Sequence, residues 1–271
     1  MDWRDTVILY FSPRNIPFTN RAVLDLQYDV LVLKYLPHDV AFRVAKEFVR
    51  SRGYDYAVIS VDDVVIYYDN IVMMEEAHEE LGDVVISALM PLGMGLAGNN
   101  IWFSVTDKVL TRRPLTYRDY ELWDIRKVIA KAREKRFHRV FYTGFGFTLM
   151  PSKVLQALSF KGLARYPTRV FGRIIRKTMQ IDVATSMELH RMGVEHYVDV
   201  YNVVHHIGNL RDLLPKRKVN YRVIFCPAGK LCEDVTEEFP IEEWLSEIAV
   251  TAPVSHSRDV RVRLRPPKRI K

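Results

Sequence analysis

The chain has 271 residues, 48% of them hydrophobic, and a formal net charge of +7. This length can bury a substantial core, and it favours one domain of about 200 to 250 residues with an extension. The only two cysteines, Cys226 and Cys232, exclude a disulfide-rich scaffold and a four-thiolate zinc site, and we expect both thiols to be reduced.

Strand-like and helix-like segments alternate along the first ninety residues. The apolar runs are rich in Val and Ile, and segments of helical spacing separate them, as in residues 38–53, which stop at Gly53. The predicted strands are TVILYF (6–11), DVLVLKYL (29–36), YAVISV (56–61) and VVISALM (84–90). This alternation predicts an α/β fold around a mostly parallel central sheet flanked by helices.

Residues 84–106 contain no charged side chain and are long enough to span a bilayer. However, the middle of this segment contains Pro91 and several Gly and Asn residues, which favour two strands joined by a loop. Gly93, Gly95 and Gly98 also fit the G-x-G-x-x-G pattern of dinucleotide-binding proteins. That pattern requires a following helix, whereas the sequence here continues as a strand.

The second half begins with a charged helix predicted over 117–136 and a strand-like run at 139–150. A helix follows Pro151, and another is predicted over 182–192 before Gly193. The β-branched run 194–207 comes next, then a further strand and an acidic helix. Because the pattern changes after about residue 209, we assign residues 1–210 to the main domain and 211–271 to a C-terminal extension.

The extension ends in a basic tail, residues 261–271, which we expect to be disordered. Its charge suits peripheral contact with an anionic membrane surface. Plain solvation or contact with nucleic-acid phosphates would explain the tail equally well, although nucleic acid is not favoured as the partner of the whole protein.

Side chains that can bind a metal ion or accept a proton lie at the ends of three separated segments. Asp62 and Asp63 end the third predicted strand, where open α/β sheets bind their ligands. Asp182 opens a helix, and His205 and His206 close the strand after it. Carboxylates and an imidazole can serve a divalent ion and its bound diphosphate. Taken singly, a solvated turn, a helix N-cap and a core histidine explain the same residues.

The order and spacing of these residues resemble the GT-A glycosyltransferases, particularly their large inverting family. Asp55 precedes Asp63 by 63 − 55 = 8 residues, which puts Asp63 at the last aspartate of a DxD motif. Asp182, Gly193 and His206 follow at intervals of 11 and 13 residues, similar to the acid, glycine and histidine of that family. Residues 143–158 resemble its acceptor-side segment.

The resemblance implies a Rossmann-related GT-A-like sheet and a transferase that uses a nucleotide-diphosphate sugar. Mn2+ or Mg2+ would bind Asp63 and His206, and Asp182 would be the base that takes the proton of an acceptor hydroxyl, with inversion. The acceptor would be a glycan, a glycolipid or a protein. We expect a cytoplasmic enzyme, peripheral to a membrane if the tail binds one. The resemblance also implies donor contacts from Ser12, Tyr35, Asp39 and Asp62.

The sequence departs from the family in two places that concern the donor. Val61 stands where the first DxD aspartate would be, and Lys34 or Tyr35 replaces an acid after the second strand. An alternative function is therefore a non-catalytic protein of the same fold that binds a nucleotide sugar or a glycan.

Overall fold

A nine-stranded mixed sheet forms the centre of the protein, with helices on both faces. The computed structural model describes residues 5–94, 101–109, 121–160, 164–170, 173–179, 181–207 and 220–250. The strands are β1 (Thr6–Ser12), β2 (Asp29–Lys34), β3 (Tyr56–Val61), β4 (Val64–Val65), β5 (Val85–Leu89), β6 (Pro91–Met94), β7 (Ile101–Phe103), β8 (Val105–Thr106), β9 (Phe137–Arg139), β10 (Tyr142–Thr143), β11 (Phe147–Pro151), β12 (Ala164–Val170), β13 (Arg173–Met179), β14 (His196–Val203), β15 (His205–His206), β16 (Arg222–Cys226) and β17 (Glu233–Asp234). The helices are α1 (Pro17–Leu24), α2 (His38–Arg52), α3 (Tyr68–Leu81), α4 (Ile125–Glu134), α5 (Ser152–Ala157), α6 (Ile181–Arg191) and α7 (Ile241–Val250).

The strand order in the large sheet is β17-β16-β2-β1-β3-β11-β5-β14-β9. Strands β2, β1, β3, β5 and β14 run in one direction, and β11 runs antiparallel between β3 and β5. The added strands β16 and β9 are antiparallel to their neighbours. The predicted α/β class is therefore confirmed, whereas the sheet is mixed and not mostly parallel: three of its eight neighbouring strand pairs are parallel and five are antiparallel.

The sheet is covered on both faces, which is why its central strands read as continuous apolar runs. In β1, Leu9 and Phe11 face the layer that contains α2, α5 and α7, whereas Ile8 and Tyr10 face the layer of α1 and α3. All four side chains are at most 2% exposed. Gly53 ends α2 at φ +73°, a left-handed conformation that glycine adopts without strain.

The charged helix predicted over 117–136 is shorter among the described residues, where it covers Ile125–Glu134. The carboxylate of Asp124 accepts the backbone N–H of Lys127 at 2.8 Å and so caps the helix. This cap explains why the helix begins at residue 125 although the charged pattern begins earlier.

The uncharged segment 84–106 contains strands, as predicted: β5, then β6 paired antiparallel with β7. Across the described parts of the chain, none of the helices has the length and apolarity needed to cross a membrane. Gly95 and Gly98 of the glycine pattern lie outside the described residues, and so does the basic tail.

The described part of the C-terminal extension packs directly onto the sheet. Strand β16 pairs with β2, and Ile241 and Leu245 of α7 belong to the same core as α2. The expectation of two reduced cysteines is wrong, since Cys226 and Cys232 form a disulfide. The antiparallel pairing of β16 with β17 brings the two Cα atoms to 4.0 Å, within reach of a bond.

Candidate functional site

The carboxyl ends of three parallel strands place the first group of predicted residues together. In the register of the sheet, Ser12 of β1 pairs with Lys34 of β2, and Phe11 pairs with Val61 of β3. The loops that follow β1, β2 and β3 therefore leave from the same edge. Asp62 and Asp63 form the turn between β3 and the short strand β4.

Asp62 is fully buried and holds the loop between β1 and α1. Its Oδ2 accepts the backbone N–H groups of Arg14 at 2.7 Å and Asn15 at 3.1 Å, and its Oδ1 accepts Nε of Arg14 at 2.7 Å. Burial raises the pKa of Asp62, and its bonds with Arg14 offset part of that rise. Because N–H groups of the protein already donate hydrogen bonds to both oxygens of Asp62, the structure gives this residue a positioning role. Its expected contact with the nucleotide-sugar donor stays a prediction.

Asp63 meets two cationic or potentially cationic side chains at one oxygen. Its Oδ2 accepts a hydrogen bond from Nη1 of Arg14 at 2.9 Å and lies 3.5 Å from Nε2 of His206. Burial alone would raise the pKa of Asp63, but the contacts with His206 and Arg14 outweigh burial and lower it to about 2. The carboxylate is therefore ionised at neutral pH.

Backbone pairing brings His206 to Asp63 across 206 − 63 = 143 residues of sequence. His206 pairs with Val64 in the antiparallel contact between β15 and β4, and the N–H of Ile207 donates to the carbonyl of Asp63 at 2.8 Å. His205, the next residue along β15, is exposed. The other ring nitrogen of His206, Nδ1, is buried and has no hydrogen-bond partner among the described residues.

Ser12 and Tyr35 lie at the same edge of the sheet, and a chain of hydrogen bonds through two asparagines connects their side chains. Nδ2 of Asn15 donates to the hydroxyl of Tyr35 at 2.9 Å, Nδ2 of Asn20 donates to Oδ1 of Asn15 at 2.7 Å, and Ser12 donates to Asn20 at 3.1 Å. Tyr35 and Asn15 both have positive φ, 62° and 51°, so these loops turn sharply. Asp39 lies in the first turn of α2, where the helix dipole favours a carboxylate.

Asp182 lies in the first turn of α6, one residue after the helix begins at Ile181. Its Oδ2 accepts the hydroxyl proton of Tyr142 at 2.7 Å, and its Oδ1 accepts the N–H of Val183 at 2.9 Å. The Tyr142 oxygen is also 2.9 Å from Oγ of Ser104. Burial raises the pKa of Asp182 despite these hydrogen bonds.

Two glycines of the predicted acceptor-side segment lie between the Asp63 side and the Asp182 side. A Cβ atom on Gly146 would lie 3.1 Å from Val64, next to Asp63, and 2.4 Å from Sδ of Met90. A Cβ atom on Gly144 would lie 2.5 Å from both Met90 and Oγ of Ser104. Both glycines therefore pack tightly against Met90. Gly146 also contacts Val64, next to Asp63, and Gly144 contacts Ser104, whose hydroxyl lies beside Tyr142 and so near Asp182.

The ligand set around Asp63 fits a divalent ion that also binds a diphosphate. Mg2+ forms bonds of about 2.1 Å at right angles, so two of its ligand atoms lie about 3 Å apart, near the 3.5 Å between Asp63 and His206. The described residues contain no group of three or more His, Cys, Asp and Glu arranged for a metal. Substrate phosphates and water normally complete such two-ligand sites.

The sequence singled out the acids and the histidine but missed what surrounds them. The contacts of Arg14 with both aspartates come from the three-dimensional arrangement. Tyr142 was also missed, since its hydroxyl reaches Asp182 over 40 residues of sequence. Its place immediately before the acceptor-side segment 143–158 is a signal that could have pointed to it.

Comparison with known proteins adds little to this geometry. No protein-family model matches the chain, and no curated protein matches it. Among solved structures, the chain is similar to A197 from STIV, with 15% identity, a TM-score of 0.42, and coverage of 84% of this chain and 89% of that one. A likeness of this degree carries no information about function.

Proposed function

We propose that the protein is a metal-dependent glycosyltransferase with a GT-A-like fold. It moves a sugar from a nucleotide-diphosphate donor to an acceptor hydroxyl, with inversion. The observation that supports this most is the meeting of Asp63 and His206, 3.5 Å apart, at the edge where parallel sheets bind ligands. The pKa of Asp63 is lowered to about 2, so this carboxylate is ionised, as a metal ligand must be.

Each side chain has a distinct part in the proposed reaction. Asp63 and His206 hold Mn2+ or Mg2+, which when bound neutralises the negative charge that grows on the leaving diphosphate. The acceptor oxygen forms a bond with the anomeric carbon while the bond from that carbon to the diphosphate oxygen breaks. Asp182 takes the proton of the acceptor hydroxyl, and Tyr142 holds the carboxylate in place through its hydrogen bond to Oδ2.

The raised pKa of Asp182 supports its role as base. A general base is most effective when its pKa lies near the working pH, whereas an exposed aspartate is too weak a base. Burial moves Asp182 in that direction. The contacts of Gly146 with Val64 and of Gly144 with Ser104 support a short path between Asp182 and the proposed metal site.

The donor is sought first by thermal shift with nucleotide diphosphates and nucleotide sugars, with and without Mn2+. Transfer or hydrolysis of the best ligand is then followed by NMR. Asp182→Asn should lower turnover by about 10²- to 10⁴-fold, the range for loss of a general base. Asp69→Asn, which changes an exposed aspartate in the first turn of α3, is the matched control.

Asp63→Ala should abolish the Mn2+-dependent thermal shift as well as turnover. Asp55→Ala is its control, because Asp55 precedes β3 and is exposed at the opposite end of the same strand. If Asp63→Ala leaves both the thermal shift and the turnover unchanged, or if Asp182→Asn remains fully active, the proposed roles of these residues are wrong.

A non-catalytic protein that binds a nucleotide sugar or a glycan is the second candidate. It is favoured by Val61, which is partly buried between both apolar layers and supplies no acid where the family has one. Metal-dependent binding of UDP or GDP with no transfer to any glycan, glycolipid or protein acceptor would support this candidate over the enzyme.

We also propose a cytoplasmic location with peripheral membrane contact through the basic tail. The six Lys and Arg residues in 261–271 would attract anionic lipids. Co-sedimentation with vesicles containing phosphatidylserine should fall when residues 261–271 are removed. Equal co-sedimentation of the full and shortened chains would refute this contact.

A further inference from the structure

Arg14 occupies the acid pair in a way that the proposed function does not explain. Its Nε and Nη2 atoms donate to Oδ1 of Asp62, while its Nη1 atom donates to Oδ2 of Asp63. The side chain is only 14% exposed, and the backbone N–H of Arg14 is also bound to Asp62. The guanidinium is therefore held from two directions in a defined place between the carboxylates.

The two edges of the guanidinium are not equivalent. The Nε–Nη2 edge faces Asp62, which is fully buried and would be left as an unpaired charge if this contact broke. The Nη1 atom faces Asp63, whose side chain is 18% exposed and has His206 as a second neighbour. The contact with Asp63 is thus the one that can open at lower cost.

Arg14 and a divalent ion would compete for the same atom. Nη1 lies 2.9 Å from Oδ2 of Asp63, the oxygen that also faces His206. A divalent ion bound to that oxygen at about 2.1 Å would face the positive guanidinium at close range. In the free protein, Arg14 already supplies the positive charge that the ion would bring.

We propose that Arg14 gates the metal site, an inference that rests on the proposed function. In the free protein, Nη1 of Arg14 holds Asp63 and keeps divalent ions weakly bound. When a diphosphate arrives with the ion, Nη1 moves from Asp63 to a phosphate oxygen, and the Nε–Nη2 edge stays on Asp62. Metal and diphosphate therefore bind with positive coupling, and each raises the affinity of the other by the same factor.

The test measures Mn2+ binding and does not depend on activity. Free Mn2+ is followed by electron paramagnetic resonance during titration of the full chain, with Mn2+ alone and with Mn2+ plus inorganic pyrophosphate, after correction for the Mn2+–pyrophosphate complex. Arg14→Gln removes the competing charge, and Arg14→Lys keeps a charge near Asp62 but has no planar fork to bridge both acids. Arg21→Gln removes an exposed arginine of α1 and is the control.

Wild type and Arg21→Gln should bind Mn2+ alone weakly, and pyrophosphate should raise that affinity at least tenfold. Arg14→Lys should bind Mn2+ alone about ten- to a hundredfold more tightly than wild type, which is the range for a hydrogen bond to a charged group. Arg14→Gln should do the same if it folds, as judged by circular dichroism. In both variants the enhancement by pyrophosphate should shrink.

Two negative results have different meanings. If Mn2+ binding depends on Asp63 but is the same in Arg14→Lys as in wild type, the gate is wrong and the proposed metal site stands. If Mn2+ with pyrophosphate does not bind, or if its binding is unchanged in Asp63→Ala, then both the gate and the metal site of the proposed function are wrong.

Discussion

The stability of the protein should fall sharply between pH 7 and pH 5 because of His196. This residue begins β14 and is 3% exposed. Its Nε2 atom lies 3.0 Å from Oγ of Ser87 and 3.2 Å from Oγ1 of Thr143. Its Nδ1 atom has no hydrogen-bond partner among the described residues. Burial lowers the pKa of His196 to about 3.

The size and sign of the effect follow from proton linkage. In the unfolded chain His196 has its ordinary pKa of 6.5, so below that pH the unfolded state binds a proton that the native state rejects. The stabilising contribution of neutral His196 is therefore lost as the pH falls from about 6.5 towards 3, at a rate approaching 1.4 kcal/mol per pH unit. From pH 7 to pH 5 the loss is about 2 kcal/mol.

Urea unfolding at pH 7, 6 and 5 measures this loss. In His196→Gln the amide is neutral at every pH, so about 2 kcal/mol of the decrease between pH 7 and 5 should disappear. His205→Gln, which changes an exposed histidine, should retain the wild-type pH dependence. If His196→Gln loses as much stability between pH 7 and 5 as wild type, burial of a neutral His196 is not the cause.

Three further predictions concern the hydrogen bond to Asp182, the packing of Gly146 and the disulfide. Tyr142→Phe removes a hydrogen bond that favours ionised Asp182, so the pKa of Asp182 should rise further. The acid limb of the pH–rate profile, or the midpoint of the carboxyl carbon shift in NMR, should then move to higher pH. Gly146→Ala should lower the unfolding free energy by about 1 to 3 kcal/mol in urea titrations, and adding Met90→Ala should recover part of it because Sδ of Met90 is the nearest obstruction. A reductant should lower the unfolding free energy of wild type by about 2 kcal/mol, the value for a loop this short, whereas Cys232→Ser should not respond to it.

The sequence predicted strands β1, β2 and β3 well because local pattern and burial agree there. Residues 6–11, 29–36 and 56–61 contain strands that the sheet buries on both faces, which explains their apolar runs. Each run is also too short for a typical helix, so the strand assignment was clear. The resemblance placed Asp63 and His206 at one site, and the pairing of β4 with β15 brings their side chains to 3.5 Å.

The parts that the sequence did not predict depend on contacts between distant loops. Arg14 reaches two acids 48 and 49 residues away, and nothing in the sequence around it distinguishes this arginine from an exposed one. The disulfide was missed because it depends on the short pairing of β16 with β17, in which Glu233 opposes Phe225. The burial that raises the pKa of Asp182 comes from tertiary packing, which the sequence around this residue does not show.

The environments of Asp63 and Asp182 shift their pKa values in opposite directions, and this difference bears on the proposed chemistry. Arg14 and His206 lower the pKa of Asp63, so it stays ionised, as a metal ligand must. Burial raises the pKa of Asp182, as suits a base. Enzymes that give two carboxylates different tasks commonly separate them in this manner.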